Sequence, residues 1–166
     1  MKLQLLKTLF VIASSLVFFS CTPDAKDSEI LAESQLVTNY SYSADELKLV
    51  DVVNNYRISN GLKSLEIINH VSFKSQEHNS YMITNNVVNH DFFDARSTNI
   101  IQVVGAKRVA ENIAYNFATA EGALFAWLQS DSHKVNLDGD YTHIGISITV
   151  NPENGKKYYT NMFVKK

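Results

Sequence analysis

The chain has 166 residues, enough for one domain with a substantial core, and its 45% hydrophobic and 11% aromatic content is ordinary for a globular protein. Fifteen basic residues against seventeen acidic ones, with no basic stripe or arginine-rich helix, argue against nucleic acid as a partner. A single cysteine excludes an internal disulfide and a cysteine zinc cage.

Residues 1–20 read as a signal peptide. Lys2 and Lys7 give a positive start, and the apolar run LFVIASSLVFFS is too short for a comfortable membrane span. It ends at Cys21, as a bacterial lipoprotein signal does, with Ser20 as the small residue before the cysteine and Phe18 where leucine is usual. Cys21 is therefore the expected lipidation site, and the expected location is the bacterial cell envelope, periplasmic or surface-facing, with the membrane a partner through the lipid. Acyl chains stabilise such attachment by about 0.8 kcal/mol per buried CH₂. Without residues 1–20 the formal net charge becomes about −4, since both removed charges are lysines. Residues 21–42 are polar and weakly patterned, and read as a tether ordered only near its end.

The domain is expected over residues 43–166. Ser43 and Glu46 form an S-x-x-E capping box, and Leu49, Val52, Val53 and Tyr56 follow at helical spacing up to the stop at Asn60-Gly61. A short link leads to a second helix, roughly 69–86, with Val71, Ser75, His78 and Met82 along one side. A third helix is expected over 97–105, ending at Gly105. The run VAENIAYN (109–116) reads as a strand, and a fourth helix starts near Thr119, carries Leu124, Trp127 and Leu128, and breaks up in the turn SDSHKVNLDGD. The chain closes with a hairpin. YTHIGISITV alternates, placing Ile144, Ile146, Ile148 and Val150 on one face, NPENG turns, and KKYYTNMFV returns. Helices first and a hairpin last favour an α+β fold.

Glu111 is the anomaly in its strand. A carboxylate costs several kcal/mol to desolvate unless it is paired, hydrogen-bonded or metal-bound. Among the five histidines, His70 at the start of the second helix reads as a surface residue. His78 shares the Val71–Met82 stripe and reads as a core histidine, and His143 points away from the isoleucine face. His90 and His133 stand in loop contexts. With Glu111 they make a His₂Glu set of the kind that holds zinc with an open fourth position. Spacings of 21 and 22 residues form no local signature, so an ion pair of Glu111 with Arg96, Arg108 or a protonated histidine is the competing reading. There is no G-x-S-x-G elbow, no H-E-x-x-H and no phosphate-cradling glycine loop. Ser130 and Ser132 beside His133 read as helix-end caps.

Taken together, NNYRISNGLKSL, HNSYM, NHDFF, AENIA, WLQSDSHKVN, YTHIGISI and YYTNMF resemble the CAP superfamily, the cysteine-rich secretory and pathogenesis-related proteins, and its bacterial branch in particular. The resemblance covers about residues 43–164. It implies a three-layer α-β-α sandwich with a central antiparallel sheet and a cleft at one end, faced by His90 and Glu111. Animal and plant members complete that cleft with a second glutamate and a second histidine. Those places here hold Ser130 and Asp140, while His133 matches the bacterial pattern. The resemblance makes His90, Glu111, His133, Ser130 and Asp140 the cleft candidates. His90, Glu111 and His133 are the candidate ligands of a divalent metal, zinc or calcium. Three functional readings follow: a non-catalytic binding module for a small ligand, lipid, peptide or ion, a metal-dependent hydrolase of peptides or envelope polymers, and a purely structural His–Glu network.

Overall fold

A computed structural model describes residues 35–166. The signal segment, Cys21 and most of the expected tether lie outside the described residues. Helix α1 spans Ala44–Ser59, and its capping box forms as expected, with the Ser43 side chain accepting from the Glu46 amide and the Glu46 carboxylate accepting from the Ser43 amide. Strand β1 (Glu66–Ile67) is followed by α2 (Asn69–Asn85), α3 (Phe93–Val104), β2 (Arg108–Tyr115), α4 (Ala120–Leu128), α5 (Asp131–Leu137), β3 (His143–Val150) and β4 (Lys157–Lys165). No helix among the described residues is long and apolar enough to cross a membrane.

The sheet runs β1-β3-β4-β2. The expected hairpin pairs β3 with β4, and β2 joins β4 antiparallel, with Glu111 opposite Met162. The sheet is mixed rather than wholly antiparallel, because β1 pairs parallel with β3. Two residues carry no readable alternation, so this strand was invisible in the sequence. The α+β sandwich is otherwise as expected.

Alternation along the strands divides the core between the two sheet faces. On one face Ile144, Ile146, Tyr159, Phe163 and Ala114 meet Leu49, Val53 and Trp127 of α1 and α4. The Trp127 indole N–H donates to the Ile113 carbonyl at 2.7 Å, fixing α4 on β2. On the other face Met162 and Val164 pack with Val71 of α2 and Ile100 of α3. Val150 departs from the expected isoleucine face and is half exposed at the hairpin end.

Helix α2 lies close against β3, where a Cβ on Gly145 would sit 2.4 Å from a Val71 methyl. The contact is polar as well as tight. The Ser72 hydroxyl accepts from the Ile146 amide, and Asn79 donates to the Ser147 carbonyl and accepts from Thr160. The Glu46 carboxylate accepts from the Ile148 amide, so side chains close the β3 edge beyond β1.

The last residues before α1 are riveted to the domain. Tyr40 donates to Glu46, Tyr42 to Ser72, and the Val37 amide to Nδ1 of His70. This corrects the reading of His70 as a surface residue. It is 1% exposed, and its other ring nitrogen meets Asn99 at 2.8 Å.

Candidate functional site

Glu111 sits in the middle of β2 on the α2/α3 face, and its side chain is 2% exposed. Three side chains from three elements surround it. The Arg96 guanidinium, one turn into α3, donates through Nε and Nη2 to both carboxylate oxygens at 2.8–3.1 Å. Nδ1 of His90, from the α2–α3 loop, lies 2.8 Å from Oε1. Nε2 of His78, on α2, stands 3.9 Å from the same oxygen and 2.8 Å from the Asn89 carbonyl. Burial pushes the Glu111 carboxyl upward. The His90 hydrogen bond and the charges of Arg96 and His78 outweigh that and hold it below the ordinary carboxylate range.

An ionised carboxylate only accepts hydrogen bonds, so the proton between His90 and Glu111 resides on Nδ1. Neutral His90 therefore carries its lone pair on Nε2, and its side chain is 48% exposed. The same logic makes His78 an Nε2–H donor to Asn89 O. Its Nδ1 is then an acceptor, buried and without a hydrogen-bond partner. Burial first, then Arg96 and His90, holds the His78 imidazole low, against the raising pull of Glu111.

The loop that carries His90 is held from several sides. Tyr81 and Asn89 both donate to the Asp91 carboxylate, Arg96 Nη1 donates to the Asp91 carbonyl, and the His90 carbonyl accepts from the Phe93 amide. Phe92 closes it in a left-handed backbone conformation, φ 59 and ψ 20, which costs a bulky residue about 1–3 kcal/mol. The surrounding bonds over-determine the loop and keep that strain in place.

The remaining candidates lie differently. His133 belongs to the short helix α5, where a turn was expected. Asn112, next to Glu111 in β2, donates to the His133 carbonyl and accepts from Asn136, which holds α5 against the strand. Burial and then the neighbouring His90 keep the His133 imidazole below its ordinary value. Its ring is not among the groups hydrogen-bonded or ion-paired to Glu111. Ser130 is the N-cap of α5, without a side-chain capping bond, and its hydroxyl lies 3.0 Å from that of Ser132. Asp140 pairs with Lys165 at 2.7 Å, and its carbonyl accepts from Arg108, at the strand end away from His90.

A divalent metal was the expected cofactor. The residues present do not fit a three-ligand His90–Glu111–His133 centre. Both Glu111 oxygens are already committed to Arg96 and His90, and a second cation there would face the guanidinium. Among the described residues no group of three or more His, Cys, Asp or Glu side chains is arranged to hold a metal ion.

Sequence reasoning named Arg96 only as one alternative partner and left His78 in the core. A helix expected from residue 97 left Arg96 outside it, whereas α3 begins at Phe93 and aims Arg96 at β2. The signal that was present is the acidic–basic pair Asp94 and Arg96 directly after NHDFF.

Comparison with known proteins follows the geometry. Residues 50–164 match the sequence profile described as CAP, the cysteine-rich secretory protein family. The chain is 30% identical over 128 residues to an uncharacterized membrane protein of Bacillus subtilis, YlbC, covering 75% of this chain and 35% of that one. It is 32% identical over 133 residues to a second uncharacterized Bacillus subtilis protein, YkwD, covering 76% of this chain and 49% of the relative. It thus spans between a third and a half of the length of these relatives. Among solved structures, an outer surface protein of Borrelia burgdorferi superposes with a TM-score of 0.64 at 20% identity, covering 78% of this chain and 99% of that one. At that identity the likeness shows the shared fold.

Proposed function

Because the chain belongs to the cysteine-rich secretory protein family, we propose that it is a non-catalytic, extracytoplasmic binding module, held to the membrane through a lipid on Cys21. Its cleft presents the His90 imidazole to a small polar ligand or a peptide. The observation that carries this reading is the commitment of Glu111. Its carboxylate is bracketed by Arg96 and bonded to Nδ1 of His90, so it orients the ring and fixes its tautomer. It is not free to act as a metal ligand or as a general base toward water, which weakens the metal-dependent hydrolase reading. Half-exposed His90, with an outward lone pair, suits hydrogen-bond acceptance from a ligand. Val88 and Phe92, large and exposed on either side of His90, suit a ligand with apolar parts. The location is supported by the signal-like start of the sequence and by relatives described as membrane and outer-surface proteins.

The test is a thermal-shift screen of amino acids, dipeptides and wall-derived muropeptides, with turnover followed by chromatography. Compounds that raise the melting temperature of the wild type but not of His90→Ala, without being consumed, are the expected result. Turnover that His90→Ala abolishes would contradict the non-catalytic reading. Hits shared equally by both proteins would place binding elsewhere.

A further inference from the structure

A groove of about 360 Å³ runs between α2 and α3 beside the Glu111 cluster, with His78, Tyr81, Phe92, Ala95, Arg96 and Lys74 among its lining residues. We propose that this groove is a binding subsite for a neutral aromatic ring bearing an N–H or O–H donor, the chemistry of a phenol or an indole. This deepens the binding-module reading and rests on it, since Arg96 and His78 face both the groove and Glu111.

The walls argue for a ring. Phe92 is 66% exposed, and its ring stands edge-on to Tyr81 with centroids 5.2 Å apart. Tyr81 in turn stacks on His78 at 6.0 Å. Three rings thus line one side in the edge-to-face and stacked geometries that aromatic groups favour, and Ala95 opposite leaves room.

The charges argue for neutrality. Arg96 is paired with Glu111 and Lys74 with Glu77, each at 2.8 Å, so the cations lining the groove are already neutralised. A carboxylate or ammonium entering there would lose water without gaining an unpaired counter-charge.

The orphan nitrogen argues for a donor. His78 forms part of the wall, its Nε2–H is used by Asn89, and Nδ1 is a buried acceptor with no partner. Buried polar atoms left in this state are uncommon and mark places where a hydrogen-bonding group is missing. Occupancy would be felt at His90, because His78, Tyr81 and Arg96 each bond the loop that carries it.

The test titrates N-acetyl-tyrosinamide, N-acetyl-phenylalaninamide and N-acetyl-leucinamide into the folded protein, following backbone amide and histidine ring resonances. Saturable shifts at Tyr81, Ala95 and Asn99 are expected with the tyrosine amide, at an affinity about three- to tenfold above the phenylalanine amide, the worth of one hydrogen bond. The leucine amide should be weakest. Phe92→Ala, at an exposed position, should weaken binding at least fivefold, and Ala95→Leu, which fills the groove, should abolish it. Equal binding of tyrosine and phenylalanine amides, unaltered binding in both variants, or no saturable groove shift would each overturn the proposal. Shifts confined to His90 would overturn it while leaving the cleft reading intact. Groove binding that persists in His90→Ala would keep it and count against the cleft.

Discussion

Nδ1 of His90 lies 2.8 Å from Oε1 of Glu111, and this one contact joins the α2–α3 loop to the middle of the sheet. It has a fixed polarity. Because Arg96 holds the carboxylate ionised, Glu111 accepts and His90 donates, and the free edge of the imidazole is Nε2. The site's chemistry therefore follows from a buried ion pair that never meets the ligand.

That ion pair should be unequal in its two halves. Arg96→Ala leaves a carboxylate that is 2% exposed without its cation, and removing one partner of a buried pair costs about 3–5 kcal/mol. Glu111→Gln leaves an arginine that is 10% exposed and nearer to water, so the expected loss is smaller, about 1–3 kcal/mol. Urea unfolding of the two variants checks the order. An Arg96→Ala protein as stable as wild type would show that the carboxylate finds other shelter.

Acid should destabilise the protein in two stages. The imidazoles of His70, His78, His133 and His143 are all held below the ordinary value of 6.5, in each case chiefly by burial. Below about pH 6.5 the unfolded chain takes up protons that the native state refuses, so stability falls with falling pH. The Glu111 carboxyl is depressed from 4.5. Its contribution is complete above that pH and is lost as pH falls through the lower folded value. Melting temperature measured from about pH 7.5 to pH 3.5 should decline through both windows. His70→Gln should flatten the first. A melting temperature that rises between about pH 6.5 and 5 would reverse the sign assigned to the histidines.

Several elements were legible in the sequence because the information for them is local. The Ser43–Glu46 box, the 3.6 period of α1 and α2 and the alternation of β3 each lie within one stretch of chain. Helix α5 was read as a turn because SDSHKVN is short and polar, and its stability comes from Asn112 and Asn136 bonding it to β2. The start of α3 was missed because its N-cap is Phe92, in a left-handed conformation with no capping side chain. His70 was misplaced because its burial depends on Val37, 33 residues away. At the site, the meeting of His90 with Glu111 came from family resemblance, since no periodicity spans 21 residues. The role of Arg96 required the register of α3 on β2.

A second buried cation predicts a purely structural phenotype. Arg57, 2% exposed, donates to the carbonyls of Lys63, Leu137 and Gly139 at 2.9, 2.6 and 3.0 Å, tying α1 to the loop before β1 and to the end of α5. Arg57→Lys offers one ammonium in place of a fork and leaves buried carbonyls unsatisfied, at about 1–3 kcal/mol each. Chemical denaturation should show a loss of several kcal/mol. Ligand binding at His90, extrapolated to the folded fraction, should be unchanged, and a selective loss of binding would contradict the separation of the two sites.

The ring of His90 itself gives the most direct test. Long-range proton–nitrogen correlation spectra, recorded above its titration, report which nitrogen carries the hydrogen. The account predicts the Nδ1–H form in the wild type and a shift toward Nε2–H in Glu111→Ala, with the Arg96→Ala protein between them. Finding Nε2–H in the wild type would contradict it, because the lone pair would then face Glu111 and the outward edge of the ring would be a donor.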